Sequence, residues 1–276
     1  MSRLSDTFAR LRKEGRAAFI PFISGGDPDM QTSLAILEAL PGCGADIIEL
    51  GMPFSDPMAD GPAVQASSTR ALKGGATLPR VIELVKKFRK KDGKTPLVLM
   101  GYFNPIHAYG TARFARDVAA AGVDGLIAVD LPVEEDEVLR LPAAAQGVDL
   151  IRFITPTTGE ARLKRIVEAA SGYLYYVSVA GVTGTKTFAE SDVAAAIARV
   201  RAATSLPVAV GFGIKTPEQA AAIARLADGV VVGSALVNKV AEAESSKSAV
   251  KAVTELATAL AQATRAQSAK VETGFV

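Results

Sequence analysis

The sequence predicts a closed (β/α)8 (TIM) barrel with one extra helix before the first strand and another after the last. Three observations carry that prediction. One phrase recurs along the chain, an amphipathic helix followed by Gly or Ala, Asp and a short apolar strand. It reads LEALPGCGADIIEL at Leu37–Leu50, DVAAAGVDGLIAVD at Asp117–Asp130 and AIARLADGVVVGSAL at Ala222–Leu236. Eight short, nearly continuous apolar runs begin near Ala17, Ala45, Pro96, Gly125, Asp149, Tyr173, Pro207 and Gly229. Runs apolar on both faces belong to a parallel sheet covered by helices. Helical periodicity fills every gap, no break in composition divides the 276 residues, and that length suits one barrel.

Taken in order, the opening stretch MSRLSDTFARLRKEG sets Leu4, Phe8 and Leu11 on one helical face and is expected to cap the bottom of the barrel. Strand one is AAFIPFIS and strand two ADIIELG. The helix LPRVIELVKKF precedes strand three, PLVLMGY, and YGTARFARDVAAAG precedes strand four, GLIAV. DLIRFITP, ARLKRIVEAA, YLYYVSV and SDVAAAIARVRAA continue the alternation to strand seven, PVAVGFG. The next helix opens with Thr216 as N-cap, Pro217 at the first helical position and Glu218 beside it, a strong start signal. After strand eight and GSALVNKV, a last helix from Ser245 carries Val250, Val253, Leu256 and Leu260 on one side. The expected organisation is a single domain over residues 1–265, with 266–276 a flexible tail.

Composition removes several functional classes. Net charge is +2, and the one basic run, Lys86–Lys91, closes a helix, where cations complement the dipole, so a nucleic-acid surface is not indicated. Cys43 and His107 are the only residues of their kinds, which leaves no disulfide within the chain and no usual zinc site. No run is long enough to span a membrane and no signal segment is evident, so a cytoplasmic location is expected. A G-x-G-x-x-G turn after the first strand is absent, which weakens the dinucleotide-binding alternative.

Barrel chemistry sits at the carboxyl ends of the strands. In ADIIELG, alternation turns Ile48 and Leu50 toward the helices and Ile47 and Glu49 into the barrel. A carboxylate there is costly unless paired or functional, and no inward Lys or Arg stands on the other strands. Burial raises such a carboxyl's pKa, which suits a general acid–base. The long loop that follows, Gly51 to Thr77, carries Asp56 and Asp60, either of which could be catalytic or a turn former. Glycines gather late, at Gly181 and Gly184, at Gly211 and Gly213, and at Gly233 before Ser234. Such loops, with a helix N-terminus at GSALVNKV, predict a phosphate rim. Phe22, Met100, Tyr102, Ile127, Val129, Phe153, Tyr175 and Phe212 complete the inner top and suggest a flat apolar group joined to that phosphate. The strands contain no lysine for a Schiff base; Lys186 and Lys215 lie on late loops.

With these residues in place, IELGMPFSDPMADGP, MGYFNPI, GLIAVDLPVEE, SVAGVTGTK and GFGIKTPEQ closely resemble the tryptophan synthase alpha chain family over about Ser5 to Leu260. The resemblance implies retro-aldol cleavage of indole-3-glycerol phosphate to indole and glyceraldehyde 3-phosphate. It implies that Glu49 moves protons between the C3′ hydroxyl and indole C3, and that Asp60 accepts the indole N–H. Phe22, Met100, Ile127 and Phe212 would sandwich the ring, and Tyr175 would stand near Glu49. Gly184, Gly213, Gly233 and Ser234 would bind phosphate, and Thr183 would contact Asp60. It further implies an alpha-beta-beta-alpha heterotetramer, with pyridoxal phosphate in the beta chain, no cofactor in this chain, and partner contacts at Pro53, Asp56, Asn104 and Pro132. A stand-alone lyase and a silent activator of a partner enzyme are the alternatives. Met100 replaces a usual Leu, a volume-conserving change. Arg152, on a helix-facing strand position, is expected to snorkel outward and has no functional account.

Overall fold

The computed structural model describes residues 2–177, 190–211 and 213–266. Among these described residues, nine strands run parallel in one sheet: β1 Ala18–Ser24, β2 Ile48–Gly51, β3 Leu97–Gly101, β4 Gly125–Ala128, β5 Asp149–Leu150, β6 Arg152–Ile154, β7 Leu174–Val177, β8 Val208–Gly211 and β9 Gly229–Val232. The hydrogen-bonded order is β5-β4-β3-β2-β1-β9-β8-β7-β6, with β1 paired to both β2 and β9. Eight staves were expected and eight are formed, because β5 and β6 are one stave interrupted at Ile151. Its first half pairs with β4 and its second with β7, so the chain itself closes the ring.

The helices are α1 Arg3–Lys13, α2 Met30–Ala39, α3 Pro62–Lys73, α4 Leu78–Arg89, α5 Phe103–Tyr109, α6 Thr111–Ala121, α7 Glu137–Ala145, α8 Glu160–Ala169, α9 Glu190–Ala203, α10 Pro217–Ala224, α11 Ser234–Ala241 and α12 Ser246–Arg265. Thr216 caps α10 in a reciprocal capping box with Gln219, and Ser245 caps α12 in the same way with Ser248. The stretch after β2, read from sequence as one long loop to Thr77, contains α3. Pro62 at its first position and the run AVQASSTRALK supply a helix, so the true loop is residues 52–61.

Strand alternation divides the core into two layers. Ile47, Val98, Ile127, Tyr175 and Val231 point into the barrel, and α1 plugs its bottom with Leu4, Phe8 and Leu11. Ile48, Leu50, Leu97, Leu99 and Val230 point outward under the helices. The recurring Asp does more than make a turn. Asp46 accepts the Phe19 backbone N–H at 3.1 Å, Asp124 that of Leu97 at 2.8 Å and Asp228 that of Val208 at 2.9 Å. Each thus satisfies a donor at the start of a neighbouring strand that no ladder bond reaches. Arg16 and Arg3 of the N-terminal segment pair with Asp46 and Asp124 at 2.8 Å, fastening the plug to this ring.

A second sequence expectation is also overturned. Arg152 does not snorkel to solvent; it is buried on the outer face of β6 and paired with Asp136, which also takes Arg140 Nε at 2.9 Å. The β4–α7 segment folds over the strand end, so a carboxylate already stands within reach and no path to water is needed. Burial lowers the Arg152 pKa to about 10, still well above neutrality. Among the described residues, no helix is long and apolar enough to cross a membrane.

Candidate active site

Glu49 lies level with Phe22 of β1 and Val98 of β3 and points into the barrel, completely buried. Its partner is a hydroxyl and not a cation: Tyr173 Oη donates to Glu49 Oε1 at 2.6 Å. Oε2 has no hydrogen-bond partner among the described residues. Burial pushes the Glu49 carboxyl up to about 8, against a smaller opposing effect of the Tyr173 hydrogen bond. At neutral pH the group is a neutral acid, and with Oε1 accepting from Tyr173, its proton belongs on Oε2.

Above Glu49, a pocket opens at the carboxyl ends of β1–β4. Phe22, Met100, Tyr102 and Val129 supply its apolar walls, Ser24 and Ser68 its hydroxyls, and Asp60 its one carboxylate. The two acids of the 52–61 loop are therefore not equivalent. Asp56 is exposed, whereas Asp60 faces the pocket, with burial raising its pKa to about 6 and a hydrogen bond from Tyr102 opposing that rise. The same Tyr102 hydroxyl accepts the Ala59 N–H at 2.9 Å, and the Tyr102 ring packs against Phe54 at 5.4 Å between centroids. Tyr102, between β3 and α5, thus holds the loop next to Asp60 by three contacts.

Other expected residues spread over two levels. Met100 and Phe22 line the pocket, while Ile127 and Tyr175 lie in the inner barrel packing. Tyr175 packs edge-on to Phe153 at 5.0 Å and leaves no room beside Gly211: a Cβ there would run into the Tyr175 hydroxyl. Gly213, with φ +80°, follows β8, and Gly233 and Ser234 begin α11 after β9 with no side chain capping that helix. A Cβ on Gly233 would meet the Phe22 ring at 3.2 Å, so the β9 end adjoins the pocket wall. Free N–H groups at an uncapped helix start suit an anion. Pro132, Asn104 and Asp56 are exposed, and Pro53 is half-buried. Thr183, Gly184 and Phe212 lie outside the described residues.

One residue escaped the sequence reading of the site, and another was read without its role. Tyr173 shares a strand face with Tyr175, so alternation could have placed it inward, but nothing in sequence says that its hydroxyl reaches strand two. Tyr102 was placed among the inward residues, yet its hold on Asp60 depends on how the loop folds back.

Comparison with known proteins separates this barrel from others with acids at the strand ends. The family model described as tryptophan synthase alpha chain matches residues 8–265. The chain belongs to the tryptophan synthase alpha chain family. It is 40% identical to tryptophan synthase subunit alpha from Legionella pneumophila, over 95% of this chain and 98% of that one, with a TM-score of 0.89. A chain of Mycobacterium tuberculosis tryptophan synthase is 38% identical over 96% of this chain and 98% of its own, with a TM-score of 0.87. Membership in this enzyme family makes the chain an alpha subunit of tryptophan synthase, with a role in tryptophan biosynthesis. The folded structure agrees with such alpha chains over nearly its whole length.

Proposed function

We propose that the chain is a carbon–carbon lyase that cleaves indole-3-glycerol phosphate to indole and glyceraldehyde 3-phosphate. The observation that carries this reading is a completely buried, neutral carboxyl under an aromatic pocket that holds a second carboxylate. The indole ring lies between Phe22 and Met100, with Phe212 and the deeper Ile127 and Tyr175 completing its surroundings. The phosphate takes the backbone N–H groups of Gly213, Gly233 and Ser234, and Gly184 and Thr183 are further substrate-site residues of this reading.

Glu49 acts first as an acid. Its proton passes to indole C3, and the ring nitrogen becomes part of a cationic iminium. Asp60 accepts the N–H and stabilises that charge as it develops. Glu49, now a carboxylate, removes the C3′ hydroxyl proton. The C3–C3′ bond breaks, its electrons return to the ring, and an aldehyde leaves. One carboxyl serves in both directions, so no net proton is consumed.

The exposed Asp56, Asn104 and Pro132, together with Pro53, form a rim at the pocket end of the barrel, and this rim meets a beta chain in an alpha-beta-beta-alpha assembly. Pyridoxal phosphate belongs to that partner, which takes up the indole. The working unit is the single barrel of residues 1–265, and its location is the cytoplasm. Indole release from indole-3-glycerol phosphate, measured with and without a tryptophan synthase beta chain, tests the proposal. Wild type should release indole faster with the partner, and Glu49→Gln should bind a phosphate analogue of the substrate while releasing none. Normal turnover by that variant would remove Glu49 from the mechanism.

A further inference from the structure

Arg152 is the least expected residue of the sheet. Its outward neighbours Leu150 and Ile154 are buried apolar side chains, and Arg152 itself is only 6% exposed. An apolar side chain at this position would pack without the desolvation cost that a guanidinium carries, and a buried ion pair is weak support for stability. What the guanidinium does that an apolar residue cannot is reach one particular segment at two places. It pairs with the carboxylate of Asp136 and donates through Nη1 to the Leu131 carbonyl at 3.5 Å.

Leu131 and Asp136 are both buried, and they bracket the exposed Pro132. Asp136 is held a second time by Arg140 of α7 at 2.9 Å, and Glu134 on the same segment is held by Arg162 of α8 at 3.0 Å. Next to the segment, Asp130 accepts the Phe103 N–H at 2.7 Å, which ties it to the start of α5, where Asn104 is exposed. The two exposed tips are thus linked to each other and braced from below by a nearly buried side chain that does not line the pocket.

We propose that Arg152 is a positioning residue for partner docking: it fixes residues 131–136, and through Asp130 the start of α5, in the shape the beta chain binds. This rests on the partner reading given above. Arg152 has no part in the cleavage site, so partner affinity and basal turnover separate.

The experiment titrates a tryptophan synthase beta chain into full-length wild type, Arg152→Met and Arg152→Lys while following indole release. Arg152→Met should leave kcat and KM without partner unchanged and raise the beta-chain concentration for half-maximal activation about tenfold. Arg152→Lys keeps the charge but cannot span both contacts, and should fall between. If Arg152→Met does not fold, Arg152→Lys and the double variant Arg152→Met/Asp136→Asn, which leaves no charge of this pair unpaired, carry the test. Half-saturation equal to wild type, with only the thermal midpoint lowered, would overturn the proposal and leave Arg152 a packing residue. A wild type whose rate ignores the beta chain overturns the partner reading, and this inference falls with it. A responsive wild type beside an identically responsive variant overturns this inference alone.

Discussion

Replacing Glu49 with Gln should abolish cleavage and at the same time shift the stability difference toward the variant by an amount that grows with pH. Burial holds the folded-state pKa near 8, against an ordinary 4.5 in the unfolded chain. The folded protein therefore keeps a proton that the unfolded chain releases. This group's contribution to stability is complete below about pH 4.5 and is lost progressively as pH rises to about 8. At about 1.4 kcal/mol per pH unit, the loss is roughly 3 kcal/mol at pH 7 and approaches roughly 5 kcal/mol above pH 8. A glutamine side chain has the same shape, accepts from Tyr173 and does not titrate. Whatever its amide costs in the barrel is constant with pH, and every other ionisable group is common to both proteins and cancels. Urea unfolding of the two proteins by circular dichroism between pH 5 and pH 9 should show their stability difference moving in favour of the Glu49→Gln variant by about 1.4 kcal/mol per unit up to pH 8, then levelling. A difference that stays flat across that range would refute the buried neutral carboxyl, and with it the acid-first order of proton transfer.

On the proposed mechanism cleavage needs Glu49 protonated and Asp60 ionised, so kcat/KM should follow a bell with limbs near the two pKa values, about 6 and about 8; a flat profile across that interval would contradict the assignment. Tyr102→Phe removes the hydrogen bond that opposes the upward shift of Asp60, and should move the acid limb to higher pH with the alkaline limb in place. Asp60→Asn should suppress indole release strongly, about a hundredfold or more, because an amide offers no negative charge to the iminium nitrogen; a single-turnover assay reads this directly. Phe8→Ala empties part of the barrel plug against Tyr173, whose ring lies 5.7 Å away, and should lower unfolding free energy by about 3–5 kcal/mol in a urea titration.

Much of this was legible in the chain because it depends on periodicity. Period-two alternation separates Ile48 and Leu50 from Ile47 and Glu49 whatever the rest of the molecule does. The Thr216-Pro217-Glu218 start signal and the amphipathic Leu4, Phe8, Leu11 face are equally local, and the recurring Asp announces each turn. Even the extra helix α3 had a local sign in Pro62, passed over because Gly and Pro before it read as loop.

What only the tertiary structure decided are distances between residues far apart in sequence. Nothing near Asp56 or Asp60 says which acid the 52–61 loop turns inward; Tyr102, just past β3, makes that choice by binding Ala59 and Asp60 together. The same holds for Tyr173, whose hydroxyl bonds one Glu49 oxygen while the other has no partner among the described residues, and for Arg152, a misfit in its strand until Asp136 comes over it. Local pattern sets which way a side chain points, since that follows from backbone geometry alone. Which group it meets there depends on where the chain brings other strands and loops, and the pKa, pairing and chemistry of each site residue follow from that meeting.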